Sequence, residues 1–343
     1  MIKQITTADI AGRLGISRGT VSKALNDRAH IDERTKRLVQ KTASEMGYRK
    51  QRLLPGIGEG AASKNILSLL LRESMLGDRY WAFFIQGFER EATGRGYQFT
   101  MSIVTPREEE ALRLPQSLSG DPPAGIVTIG PLGEAYYTAL AGFRIPAVFV
   151  DTAPDVSDAR IAGDTLLICN RECVREMTAH LIEGGHRRLG FIGDPRVCRS
   201  FQERYQGFCD ALAEAGLPLA RSLVYGVSNE TVERTRRWLE SLSEPPTAFV
   251  CVNDLHALVA RTALKELGLS VPQDVALCGF DDDPSISFLA PGLTTIDSRV
   301  QYVGKRAAQE LFWRMENPDA PREVLKIASS VVYRESTEGY RFT

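Results

Sequence analysis

Apolar positions recur at two different periods along these 343 residues. Over the first sixty they follow helical spacing. Ile10, Ala11 and Leu14 predict a first helix, which Thr7 can cap. Gly15 ends it, because glycine accepts the left-handed conformation a tight turn needs, and Ile16 plugs that turn. Ser17 caps a second helix, which offers Val21, Ala24 and Leu25 to a small core and Arg18, Gly19, Ser22 and Lys23 to the outside. Asp32 caps a third, which runs over Leu38, Val39, Thr42 and Met46 and stops at Gly47. Beyond residue 63 the pattern changes. Short apolar runs such as "NILSLLL", "GIVTIG", "PAVFVD" and "TAFVCVND" alternate with amphipathic stretches such as "WAFFIQGFEREATGRG" and "HALVARTALKELG". Continuous apolar strands separated by helices predict an α/β body with parallel sheets. Residues 64–343 suit two doubly wound sheets better than one.

Charge sharpens the division. Residues 1–60 hold twelve Lys and Arg against six Asp and Glu, a net of +6, whereas the rest holds thirty against thirty-seven, a net of −7. A basic module on an acidic body points to a polyanion partner for the module alone. No apolar run reaches the roughly 18 residues of a membrane span, and "MIKQITTADIAGRLG" lacks a signal-peptide core, so a cytoplasmic protein is expected. The six cysteines form no C-x-x-C pair and the four histidines no zinc spacing. Reduced, mostly buried thiols without metal or cofactor are expected.

Two helices joined by a Gly-containing turn make a helix-turn-helix, whose second helix enters the DNA major groove at its N-terminal part. Arg18 and Lys23 are the types that reach guanine acceptors or phosphates, and Ser17, Thr20, Ser22 and Asn26 are short donors suited to backbone phosphates. The alternative is a small helical bundle with a solvated basic face. In the body, ligands are expected beyond the carboxyl ends of the strands. The polar residues there are Arg72, Asp151, Asn253, Asp254, Asp281 and Asp282, a set suited to a hydroxyl-rich ligand.

The stretch "TTADIAGRLGISRGTVSKALNDRAHIDERTKRLVQKTASEMGY" resembles the DNA-binding headpiece of the LacI/GalR family of bacterial transcription regulators. The resemblance implies that the second helix reads the operator, with base-reading positions at Arg18, Gly19 and Lys23. Gly19 departs from the usual side-chain-bearing residue, so readout there is lost or passes to water. Further on, "HLIEGGHRRLGFIGD", "SFQERYQGFCDAL", "AFVCVNDLHALVARTALKELGLSVPQDVALCGFDD" and "REST" are similar to the family's regulatory domain, itself similar to periplasmic sugar-binding proteins. This implies a headpiece over 1–48, a linker over 49–63 and an effector-binding, dimerising domain over 64–343. It also implies two subdomains, about 64–162 with 293–325 and about 163–292 with 326–343, the chain crossing near 163, 292 and 326. It further implies a homodimer on a pseudo-palindromic double-stranded operator and a small effector, a sugar or sugar derivative, in the cleft. The effector-contacting positions fall on Arg72, Trp81, Asp151, Ser200, Arg204, Asn253 and Asp281. Arg204 carries over most strongly, through "ERYQGF".

There are departures. Cys169 stands where many relatives carry Asp, next to Asn170, which weakens a polar anchor. Arg72 stands where relatives often have a small or neutral residue. Facing the cleft, it would pair with a negative ligand; otherwise it pairs with Glu73 or Asp78. The linker "RKQRLLPGIGEGAASK" has Lys50-Gln51 in place of the usual Pro-Asn, and the position that wedges into the minor groove in relatives falls on Ile57. Pro55 and Gly56 just before it disfavour helix. The linker is therefore expected to be short or non-helical, with Arg49, Lys50 and Arg52 adding basic contacts. An enzyme is a poor alternative: there is no G-x-S-x-G or H-E-x-x-H, and "GIGEG" precedes a strand where a phosphate loop would follow one. A solute receptor without DNA leaves the basic module unexplained.

Overall fold

The computed structural model describes residues 7–25, 33–45, 65–77, 79–118, 122–226 and 231–340. The chain divides into two compact units, Met1–Ala61 and Ala62–Thr343. The first contains helices α1 (Thr7–Leu14), α2 (Arg18–Leu25) and α3 (Glu33–Glu45). Ile10, Ala11, Val21, Ala24, Val39 and Ala43 form its core, with Leu14 and Ile16 packed on them. Ile16 therefore plugs the turn as its position predicts, and Gly15 makes that turn at φ +62°. One expectation shifts, and the Thr7 side chain lies outside the described residues. Leu38 is 52% exposed, because α3 turns its Val39–Thr42–Ala43 face inward and Leu38 lies off that stripe. Asp32, Met46 and Gly47 lie outside the described residues.

The second unit carries two parallel sheets. In chain order the first receives β1 (Ile66–Arg72), α4 (Arg79–Gly94), β2 (Gln98–Val104), α5 (Pro106–Glu110), β3 (Gly125–Ile129), α6 (Glu134–Ala141), β4 (Ala147–Val150) and β5 (Asp164–Ile168). The second receives α7 (Arg171–Glu183), β6 (Leu189–Ile192), α8 (Arg199–Glu214), β7 (Val224–Tyr225), α9 (Val232–Glu240), β8 (Ala248–Cys251), α10 (Asp254–Glu266) and β9 (Ala276–Cys278). There follow β10 (Thr295–Asp297), α11 (Val300–Glu316), β11 (Val324–Ile327) and β12 (Ser330–Val332). The six-stranded sheet has the order β11-β5-β4-β3-β1-β2 and the four-stranded sheet β7-β6-β8-β9. β10 pairs with β12 in an antiparallel ribbon and touches the second sheet through the bridges Cys278–Thr294 and Asp281–Asp297.

Strand pairing moves the predicted crossings. "DTLLI" over 164–168 is buried throughout and pairs with β4, so the chain leaves the first sheet after Ile168, not near 163. It returns between Asp297 and Val300, not near 292, because β10 still lies against the second sheet. It crosses last between Ile327 and Ser330, since β11 pairs with β5. The physical reason is common to the first two: a run of apolar residues has to be covered on both faces, and the polar turn before it is not yet the boundary.

Helices α4 and α11 cover one face of the first sheet, packing Phe84, Phe88, Val303, Ala307 and Leu311 on Leu67, Leu69 and Val127. Tyr136, Tyr137 and Leu140 of α6 cover the other. α4 and α11 meet at glycines. A Cβ on Gly87 would lie 1.9 Å from the Gln301 carbonyl oxygen, and one on Gly304 2.0 Å from that of Phe84. The obstacle is backbone, so the helices would have to separate. Gly304→Ala should cost about 3 kcal/mol, the upper end of the usual overpacking penalty. A denaturant midpoint matching the parent protein's would show that the two helices slide apart freely. Cys173, Cys198, Cys251 and Cys278 are buried, Cys169 and Cys209 half-buried, and all six are free thiols.

Candidate functional site

Two sites follow from this frame. In the first unit, Ser17 caps α2 as its sequence position predicts: its Oγ accepts from the Thr20 amide at 3.0 Å and lies 2.9 Å from Thr20 Oγ1. Gly19 is exposed on the first turn of the helix. Nothing crowds its Cα hydrogens except Ser17 Oγ, 3.6 Å from where a Cβ would be. Arg18, Ser22 and Lys23 lie on the same helix. Their side chains and that of Thr7, and the whole of Asn26, Arg49, Lys50, Arg52 and Ile57, lie outside the described residues.

In the second unit, a cavity sits between the carboxyl ends of the two sheets. Trp81, Asp151, Ser200, Arg204, Asn253 and Asp281 line it together. β4 ends at Val150, which delivers Asp151 to the rim; α8 begins at Arg199, which delivers Ser200 opposite. Asp151 accepts from the Ser200 amide at 3.0 Å and from Ser200 Oγ at 2.7 Å. Burial pushes the Asp151 carboxyl above its ordinary value, against those hydrogen bonds. Asp151 and Asp281 both hold positive φ, 55° and 115°. Such strain in non-glycine residues concentrates at functional sites.

Arg204 is the hub. It is 4% exposed and stacks over the Phe280 ring at 3.5 Å. Its Nε donates to Asn170 Oδ1 at 3.0 Å, one Nη to the Val252 carbonyl at 2.7 Å, and the other lies 3.7 Å from Asp281 Oδ1. Three residues further on, Gly207 lets α8 lie against α7, since a Cβ there would meet the Arg171 carbonyl oxygen at 2.1 Å. The "RYQGF" spacing thus serves one purpose: it seats α8 closely enough for Arg204 to reach both sheets. Asn253 caps α10, accepting from the His256 amide at 3.0 Å.

Arg72 is the exception. It does not line the cavity, and its Nε meets Glu109 Oε2 of α5 at 3.1 Å, a partner 37 positions away in the chain that no local pattern announces. Cys169 turns instead toward Glu172, its Sγ 3.3 Å from Oε2, while Asn170 remains in the wall. Sequence reasoning passed over Tyr80, Cys198, Phe201 and Val303, which also line the cavity. Tyr80 is next to Trp81, and its ring meets the Trp81 ring edge-on at 5.0 Å. Its phenol is raised by burial first and by Asp281 next.

Asp254 and Asp282 stand outside this cavity. Asp282 pairs with Arg334 at 2.7 Å. Asp254 is buried, accepting from Thr295 Oγ1 at 2.6 Å and the Asp283 amide at 2.9 Å, yet burial pushes its carboxyl up to about 7. A carboxyl with a higher pKa folded than unfolded holds its proton more tightly in the fold. Its stabilising contribution is complete below about pH 4 and is lost as the pH rises to about 7. Asp254→Asn should therefore flatten the decline of unfolding free energy across that window relative to the parent protein, as read by urea denaturation. Parallel curves would mean that Asp254 is ionised throughout.

Residues 6–51 match the model of the bacterial regulatory proteins of the lacI family, and residues 178–337 that of a periplasmic binding protein-like domain. The chain thus joins a lacI-family N-terminal segment to a periplasmic binding protein-like domain. The regulator is 27% identical over 339 residues to the HTH-type transcriptional repressor PurR of Mannheimia succiniciproducens, covering 97% of this chain and 98% of that one. A transcriptional regulator CelR–cellobiose complex matches it with a TM-score of 0.71 at 25% identity, over 97% of this chain and 100% of that one. A lac repressor dimer bound to operator and the anti-inducer ONPF has a TM-score of 0.79 at 22% identity, over 98% and 99%; this likeness speaks to the fold. The regulator is thus a DNA-binding transcription regulator. No helix of the described residues is long and apolar enough to cross a membrane.

Proposed function

We propose that the regulator is a cytoplasmic homodimeric repressor of carbohydrate-related genes, released from or fixed on a pseudo-palindromic operator by a sugar or sugar derivative. The observation that carries the reading is the cavity between the sheet ends, where hydroxyl-binding groups converge on one indole. Asp151, Asn253 and Asp281 are acceptors for sugar hydroxyls, Ser200 and Arg204 hold Asp151 and Asp281 in place, and Trp81 offers a ring face. Because those groups come from both sheets, ligand binding biases how the sheets close on each other. The similar CelR–cellobiose complex supports a carbohydrate.

On DNA, α2 carries Arg18 as a base reader and Lys23 beside it, with Ser17, Thr20, Ser22 and Asn26 on phosphates. Arg49, Lys50 and Arg52 supply backbone contacts, and Ile57 is the position that would reach the minor groove. The test begins with duplexes selected from a random pool. Binding should fall steeply with salt, as phosphate neutralisation requires. Arg18→Ala should relax preference at one base pair by about 1–3 kcal/mol. Adding individual sugars should then shift operator affinity. Salt-insensitive binding, or an operator complex indifferent to every sugar, would sink the reading.

A further inference from the structure

The cavity's charges say more about its ligand than its shape does. Three groups around it are equipped to receive an anion, and this chain has filled each of them. Among the described residues lining the cavity, Arg204 is the one cation, and its guanidinium is spent on Asn170, the Val252 carbonyl and Asp281. The N-terminus of α8, whose free amides and dipole suit a phosphate, already holds the Asp151 carboxylate through the Ser200 amide and hydroxyl. Arg72, at the end of β1, is neutralised by Glu109. What remains is two carboxylates, Asp151 and Asp281, against one cation, inside walls that are otherwise largely apolar: Val150, Leu166, Ile168 and Val303 among them. An anion entering there finds no unspent positive partner, meets two like charges and loses its hydration; a hydroxyl meets acceptors already in place.

We propose that the effector is uncharged, and that the cavity discriminates against the phosphorylated or acidic derivative of the same sugar. This rests on the reading of the cavity as the effector site. It reverses the expectation attached to Arg72, which pointed to a negative ligand.

The test uses the full-length protein and matched sugars: glucose, galactose and cellobiose as the neutral series, with glucose 6-phosphate, galactose 6-phosphate, glucuronate and galacturonate as the anionic series and glucosamine as a cation. Thermal shift finds binders and calorimetry ranks them, at constant ionic strength. The expected result is a neutral binder whose anionic counterpart is at least tenfold weaker. Asp151→Asn and Asp281→Asn should each narrow that ratio, because each removes one repelling charge. An anionic or cationic sugar that binds as well as its neutral parent overturns the inference, and so does silence of the whole neutral series. Operator binding in the same preparations, read by its salt dependence, tests the regulator reading separately, so the two failures are distinguishable.

Discussion

Asp164→Ala is expected to lower the stability of the large unit by about 3–5 kcal/mol, the usual cost of leaving one partner of a buried ion pair without the other. Asp164 is fully buried at the start of β5. Its Oδ1 accepts from Arg314 Nη2 at 2.6 Å and from the Glu323 amide at 2.8 Å, and its Oδ2 from Arg314 Nε at 2.8 Å. Arg314 then reaches on to the Ala320 and Pro321 carbonyls at 2.6 and 2.7 Å. One carboxylate thus ties together the start of β5, the end of α11 and the loop that launches β11. Without it a largely buried guanidinium keeps backbone carbonyls as partners but loses its paired carboxylate. The double variant Asp164→Ala with Arg314→Leu should recover part of the loss, since no unpaired charge remains. Urea denaturation of the four proteins gives the cycle. A single-variant cost under about 1 kcal/mol would mean that water reaches the site and solvates the arginine.

The other large effect is functional. Arg204→Ala should weaken the sugar that the screen identifies by about 100-fold or more, because truncating a buried, hydrogen-bonded charge costs about 2–5 kcal/mol. The substitution also strips Asp281 of its counter-charge and Asn170 of its donor. Arg204→Lys should rescue little. An ammonium cannot fork between Asn170 and Val252 while lying flat on Phe280. Operator affinity without sugar should stay within a few-fold, because α2 belongs to the other unit. Calorimetry for the sugar and a gel-shift titration for DNA separate these outcomes. Unchanged sugar affinity would remove Arg204 from the site.

These two arginines also mark where sequence and structure part company. The helix-turn-helix is legible because its determinants are local: a cap at Ser17, a left-handed turn at Gly15, a plug at Ile16 and an apolar stripe on each helix. The parallel sheets are legible because strands buried on both faces need uninterrupted apolar runs. Arg204 could be placed through the family resemblance carried by "ERYQGF", and the structure adds the reason for its glycine, since Gly207 lets α8 lie against α7. Arg314 carried no such signal. Its partner lies 150 positions away, and α11 itself was passed over in favour of the strand–helix units before it. Arg72 misled for the same reason. Its place after β1 was readable, but only the folded chain brings Glu109 against it. The crossings slipped by several residues because local polarity marks turns, whereas sheet membership depends on which distant strand supplies the hydrogen bonds. Local pattern determined which elements form and which residues sit at their ends. Long-range pairing decided which of those end residues face the cavity and which are already neutralised, because a charge's role is set by the partner that the tertiary structure brings to it.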